Sequence, residues 1–403
     1  MNRKLWTGGY TVLNVLYFAA FCTVHAYAAV FLLSRGFTNT QIGILLAVAN
    51  ITSALFQPFI AGIIDKGGWL SNRRFILISC LIIFFGSLIL YFCGNNKSLV
   101  FTVFALIYMI QFAYQPVMTA LCFEYQKKGC YIYYGLARGL GSAGFAVTSA
   151  LIGGAVEKDG ASLLMSVTAV IMAASYVAAF FFRPSDTAEK AETRDETLTR
   201  QSPSGGFAGF FRHYPAFGFF TVATILFFFS HNMINDFMIQ IVRSLGGGET
   251  VLGYANFLQA ILELPVMTLS GLILKKVSPS FLLVFSGVAF FVKILILVFG
   301  NSLPWVFVSQ SFQLFAYAVF IPASAFYVSS TMADGDQVKG QAYFTSAITV
   351  GGVFSNLVSG VILDRLGMKP MLITGSAVCF AGVIFAFAAI RARDIKGEIN
   401  ENR

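Results

Sequence analysis

The chain has 403 residues, of which 57% are hydrophobic and 11% charged, with 44 Phe and a formal net charge of +9. Soluble globular proteins carry about 25% charged residues, so these figures exclude a soluble enzyme, a nucleic-acid-binding domain and a disordered chain. The basic excess sits in short loops between apolar runs, where it reports membrane topology rather than affinity for nucleic acid.

A hydrocarbon core about 30 Å thick takes roughly 20 apolar residues per helix. The first such run follows the basic stretch Met1-Asn2-Arg3-Lys4 and shows no small-residue cleavage site, so it reads as a retained span rather than a signal peptide. In chain order, spans are expected at 10–33, 41–64, 75–94, 99–123, 133–156 and 161–183. A polar stretch from Pro184 to His213, rich in Ser, Thr, Glu, Lys and Arg, then reads as a cytoplasmic linker. Six more spans follow at 216–242, 249–274, 280–299, 302–328, 338–363 and 370–390. The expected fold is an all-α integral membrane protein. Residues 1–183 and 214–403 each form a six-helix bundle, joined by the linker 184–213.

Loop charge sets the orientation. With the N-terminus inside, the cytoplasmic segments hold 19 Lys and Arg against 6 in the outer loops. Both termini are therefore expected in the cytoplasm of a cell's inner membrane. The halves also look repeated. Span 5 ends Gly153-Gly154-Ala155-Val156-Glu157-Lys158-Asp159-Gly160, and span 11 ends Gly360-Val361-Ile362-Leu363-Asp364-Arg365-Leu366-Gly367. Two six-span halves repeated in parallel are the build of major facilitator transporters, with the solute site near the midplane.

Ionisable groups inside spans are costly, which makes them functional candidates. They are His25, Glu124, Arg138, His231, Asp236, Glu263 and Lys293. Arg138 lies beside Gly139, Gly141, Ser142 and Gly144, which permit close helix approach. Its planar fork suits paired hydroxyls or a carboxylate. Phe145, seven residues on, shares its face. The plainer reading has Arg138 reaching the cytoplasmic surface to pair with Glu124, itself either a solute ligand or a solvated acid. Glu263 in span 8 and Lys293 in span 9 read either as a proton-coupling pair or as a static buried ion pair. Asn232, Asn235 and Asp236 share a helical face in span 7. Asp236 either serves solute or proton, or faces water. His25 reads either as a titrating group or as a packing residue. Span 10 offers the neutral groups Gln310, Gln313 and Tyr317. No G-x-S-x-G, P-loop, H-E-x-x-H or cysteine–histidine cluster occurs, so neither catalysis nor a cofactor or metal is expected.

With these residues in view, the chain resembles the lactose permease group of the major facilitator superfamily, the oligosaccharide:proton symporters. The resemblance runs along most of the chain. It rests on Leu55-Phe56-Gln57-Pro58 leading to Asp65-Lys66, on Gly135-x-Ala137-Arg138 through Gly144-Phe145, on Gly253-Tyr254, on Val292-Lys293-Ile294 and on Pro322. It implies that Arg138 binds sugar hydroxyls, that Phe145 stacks on the ring, that Tyr27 is a site aromatic, and that Lys293 belongs to a coupling network. There are departures. The family's acid partner of the arginine falls on Ala120, its span 8 glutamate on Ala260, and its span 10 histidine and glutamate on Gln313 and Ala316. Glu124 and Glu263 each lie about one turn further along.

The function expected from the sequence is secondary transport of a sugar or similar small polar solute by proton-coupled symport. Tyr27, Glu124, Arg138, Phe145, Asn232 and Gln313 would bind solute, and Glu263, Lys293 and Asp236 would couple protons. The partners are the solute, a proton and the bilayer; a monomer is expected, without nucleic acid. The alternatives are an exporter of amphipathic drugs and a nucleoside or aromatic-acid transporter of the same fold.

Overall fold

A computed structural model describes residues 3–94, 96–183 and 206–401, with side chains from Trp6 to Ala392. The described residues are helical, with no strand. Twelve helices among them are long and apolar enough to cross a membrane: Trp6–Ala26, Asn39–Asp65, Asn72–Phe92, Lys97–Lys127, Tyr134–Asp159, Leu163–Phe181, Pro215–Asp236, Glu249–Ile273, Pro279–Phe299, Leu303–Thr331, Asp334–Arg365 and Met368–Ala392. They are called spans 1 to 12 below. The chain is a multi-pass membrane protein. Within a bilayer every backbone amide needs an internal partner, which a helix supplies and an irregular segment does not.

The helix starts follow from local chemistry. Thr38 and Gln41 close a capping box at span 2. Ser71, Asn96 and Ser278 each accept the backbone N–H three residues on, opening spans 3, 4 and 9. Most of the expected linker, residues 184–205, lies outside the described residues. Its last part differs from the expectation, because Phe207–His213 forms a short helix before span 7. An aromatic cluster explains it: Phe210 is fully buried against Tyr214, Phe217 and Tyr343.

The chain divides into two compact units. The first contains spans 1 to 6 and also Gly247–Ile261, the opening half of span 8. The second contains span 7, the rest of span 8 from Leu262, and spans 9 to 12. Inside the first unit, span 1 packs on spans 5 and 6, and span 3 on spans 4 and 6. The second unit repeats the pattern, with span 7 on spans 11 and 12, and span 9 on spans 10 and 12.

The repeat extends to the backbone. Span 1 relaxes into a π-helical turn at Cys22–Ala26, breaks at Tyr27 (φ −109°, ψ 14°) and resumes as Ala28–Ser34. Span 7 breaks at Phe237 (φ −114°, ψ 24°) and resumes as Met238–Ser244. Each break precedes by nine residues a glycine in the left-handed region, Gly36 at φ 77° and Gly246 at φ 83°. Spans 5 and 11 likewise end at Gly160 and Gly367, at φ 90° and 89°. Neither Pro nor Gly stands at the breaks, so the breaks were not legible as interruptions of the apolar runs 10–33 and 216–242. π-helical turns inside helices concentrate at functional positions.

Candidate functional site

The candidate residues divide between the units. Tyr27, Glu124, Arg138 and Phe145 belong to the first, and Asn232, Asp236, Glu263, Lys293 and Gln313 to the second.

In the first unit, Arg138 is half-buried one turn into span 5. Its Nη1 donates to Ser142 Oγ at 2.8 Å, one turn along the same helix. Its guanidinium carbon lies 4.1 Å from the centre of the Phe18 ring. A glycine makes that contact possible: a Cβ on Gly141 would sit 2.6 Å from the Phe18 ring. Stacking on an aromatic face holds the guanidinium plane and leaves its edge N–H groups to meet a solute. Phe145 is half-buried on the same helix.

Glu124 is engaged elsewhere. Asn72 Nδ2 donates to its Oε2 at 2.9 Å and Lys128 Nζ to its Oε1 at 2.7 Å. Of the alternatives open for Glu124, the pairing with Arg138 is not formed. Lys128 lies one turn away on a water-accessible helix end, where the pair costs little side-chain order. Tyr27 also stands apart from Arg138. It is fully buried at the break of span 1, and its hydroxyl donates to the Ser149 carbonyl at 2.9 Å. The same hydroxyl lies 2.9 Å from where a Cβ on Gly153 or on Gly253 would stand. Tyr27 thus seats a close crossing of span 5 with the first half of span 8.

In the second unit, Glu263, Gln313 and Lys293 form one hydrogen-bonded chain. Lys293 Nζ donates to Gln313 Oε1 at 2.7 Å, and Gln313 Nε2 donates to Glu263 Oε1 at 2.8 Å. Lys293 is fully buried, where an unpaired ammonium would be strongly unfavourable. The carboxamide satisfies both charged ends in one orientation only, with its oxygen on the cation and its N–H on the anion. The sequence leaves Glu263 and Lys293 as either a proton-coupling pair or a static ion pair; in the structure the Gln313 amide bonds to both. Local backbone explains how Gln313 reaches both. Span 10 leaves the α-helical path at Ser311, passes through a 3-10 turn at Phe312–Leu314, and resumes at Tyr317 after Ala316 (φ −82°, ψ −92°). Ser309 Oγ fixes the other side by donating to the Lys293 carbonyl at 2.8 Å.

The span 7 patch adjoins aromatic rings of this unit. The Asn235 amide bonds His231 Nε2 at 2.8 Å, and the His231 ring stacks on Tyr317 at 5.3 Å and 16°. An amide donor there makes Nε2 the acceptor and leaves the neutral imidazole proton on Nδ1. The Asn232 amide packs on span 11, where a Cβ on Gly352 would stand 2.6 Å from its nitrogen. Asp236 is the last residue before the Phe237 break and is half-buried.

Two residues escaped the sequence reading. Asn356 in span 11 and Gln111 in span 4 are fully buried, and both side-chain polar atoms of each lack a hydrogen-bond partner. Gln310 shares that property. The signal was present, since a carboxamide in an apolar run is uncommon, but attention to charge alone passes over it.

Residues 9–373 match the sequence model of the MFS_1-like family. No curated protein matches the chain in sequence. Among solved structures, the fold is similar to the crystal structures of the nucleoside transporter NupG and of its D323A mutant. Each aligns with a TM-score of 0.78 at 14% identity, covering 97% of this chain and 99% of the other.

Proposed function

The chain belongs to the MFS_1-like family of the major facilitator superfamily, so it is a transporter and not an enzyme, and on that premise we propose that it carries a small hydroxyl-rich solute together with a proton by alternating access. The observation that supports this reading is the chain Glu263–Gln313–Lys293. A carboxylate and an ammonium held apart by one neutral amide are poised to respond to a proton. Protonation of Glu263 replaces the anion that accepts the Gln313 N–H by a neutral, weaker acceptor that can also donate. The hold on the amide's orientation weakens, and with it the fixed acceptor of Lys293. A direct ion pair would instead be fixed by its own attraction. Asp236, at the Phe237 break, is the second candidate for the proton.

Arg138, stacked on Phe18 and two turns from Phe145 on the same helix, is the residue proposed for recognition. A cationic fork beside aromatic faces suits the hydroxyl pairs of a sugar ring or of a ribose. The fold shared with NupG, a nucleoside transporter, brings nucleosides beside sugars as a class to assay. Asn232 and Gln313 are the carboxamides of the second unit assigned to solute. The loop charges favour both termini in the cytoplasm, and a monomer is expected to suffice.

The experiment is uptake by purified protein in proteoliposomes, using tritiated uridine, adenosine and lactose under an imposed pH gradient. Saturable accumulation of one class, abolished by a protonophore, supports the proposal. Absence of uptake for every panel member, with drug efflux in its place, contradicts it.

A further inference from the structure

One half-buried polar group in the first unit has no role in the transport reading. His25 lies in the π-helical turn of span 1, clamped by three rings. Phe21 stacks on it at 3.9 Å and 13°, Tyr108 lies at 3.9 Å, and Phe112 meets it edge-on at 4.8 Å. Neither ring nitrogen has a hydrogen-bond partner, although both are shielded from solvent. Gln111, between Tyr108 and Phe112 on span 4, adjoins the imidazole. It is fully buried, and neither its amide oxygen nor its nitrogen has a partner. The side chains of His25 and Gln111, on two facing helices, thus have no hydrogen-bond partner beyond each other. Native structures pair nearly all such groups, and each omission is unfavourable.

Three features argue against a merely misfitted core. The Gln111 backbone is well anchored, its carbonyl accepting from the Tyr17 hydroxyl at 2.9 Å. The surrounding rings are well packed. The group also continues the wall that carries Arg138: the guanidinium stacks on Phe18, Phe18 meets Phe21 at 6.3 Å, and Phe21 stacks on His25. Phe18, Phe21 and His25 fall at helical spacing on one face of span 1. Phe21, His25 and Phe112 are only half-buried, so the wall is open along part of its length.

We propose that His25 and Gln111 form a solute subsite at the far end of this aromatic wall, recognising neutral hydroxyl or amide groups on a ring held by Arg138 at the other end. The inference rests on the transport reading above and adds the class of group recognised here. A neutral imidazole presents one donor and one acceptor, and a carboxamide presents both kinds. Together they match a group that both donates and accepts, as a hydroxyl does. A carboxylate or phosphate, which only accepts, would leave the acceptors of the subsite unpaired.

The test uses two apolar variants of similar shape, His25→Phe and Gln111→Met, in the full-length protein. Replacing a partnerless buried group by an apolar one is neutral or stabilising, so both variants are expected to fold with an unchanged or raised melting temperature. Initial uptake of tritiated uridine and of lactose is measured over a concentration range in proteoliposomes. For the solute the wild type carries, KM is expected to rise about tenfold in each variant with kcat reduced less, equivalent to about 1.4 kcal/mol. The melting-temperature increase produced by that solute in the wild type should disappear. A folded variant with wild-type KM and an undiminished solute-induced shift overturns the subsite alone. A variant that fails to fold shows that the polar atoms serve packing, and also overturns it. A wild type that carries neither solute contradicts the proposed function and the subsite with it.

Discussion

Lys293 Nζ points at Gln313 Oε1 across 2.7 Å, and this bond joins a fully buried cation to the unwound middle of span 10. The amide has two charged clients, so its loss should cost more than an ordinary hydrogen bond. Gln313→Leu removes the acceptor of Lys293 Nζ and one donor to Glu263. Leaving a buried group without its hydrogen-bond partner costs about 1–3 kcal/mol, and more where the group is charged. Gln313→Leu is expected to lower the melting temperature and abolish uptake. Adding Lys293→Met should recover much of the stability but none of the coupling. Thermal unfolding in detergent checks the first effect and gradient-driven uptake the second. A Gln313→Leu protein with wild-type stability would contradict the relay.

Arg138 separates shape from charge. Arg138→Lys keeps the cation but loses the planar fork, the face-on contact with Phe18 and the fixed bond to Ser142. KM is expected to rise about tenfold or more, with the fold intact. Gly141→Val should have a similar effect by another route, since its side chain would occupy the space of the Phe18 ring. Equal KM values for wild type and Arg138→Lys would remove Arg138 from the solute site.

The crossing of span 5 with the start of span 8 is built for close contact. A Cβ on Gly153 would overlap the Glu249 carbonyl, and one on Gly253 would overlap the Ser149 carbonyl. Glu157 Oε2 accepts the Thr250 backbone N–H at 2.8 Å, placing a carboxylate at the helix start, where the backbone dipole favours it. Alternating access requires helices to part on each side in turn. A Cβ at Gly154 would stand 3.7 Å from Thr250 Oγ1, within reach of a disulfide. The pair Gly154→Cys and Thr250→Cys should arrest uptake on oxidation and regain it on reduction. Undiminished uptake by the cross-linked protein would show that this crossing stays closed throughout the cycle.

Tyr214 anchors the end of the linker. Its hydroxyl donates to Asp336 Oδ2 at 3.2 Å and accepts the Ala333 N–H at 3.2 Å. Asp336 is fully buried. Tyr214→Phe deprives that acid of a donor and should cost about 1–3 kcal/mol. The expected readout is a lower melting temperature with KM unchanged, because the contact lies away from the candidate site.

The spans were legible because each needs a long apolar helix, and length and composition declare that directly. The apolar runs 41–64 and 280–299, for instance, correspond to Asn39–Asp65 and Pro279–Phe299. The repeat was legible where it is written in glycine, at Gly160 and Gly367. The breaks at Tyr27, Phe237 and Ala316 were not, since ordinary helix-compatible residues occupy them and tertiary packing decides their backbone. Glu263, Lys293 and Gln313 were individually conspicuous. Their order in space depends on how far span 10 unwinds, and no local spacing encodes that. Glu124 shows the converse: proximity in sequence to Arg138 suggested a pair, but Asn72 from span 3 and Lys128 take its oxygens.

The central claim is that Glu263 carries the coupled proton. The most direct test compares wild type with Glu263→Gln in proteoliposomes, measuring uptake under an imposed pH gradient and solute exchange without one. Glutamine keeps the shape and can still accept from Gln313, but cannot release a proton. The account predicts that the variant loses gradient-driven accumulation and retains exchange. Equal accumulation by both proteins would contradict it.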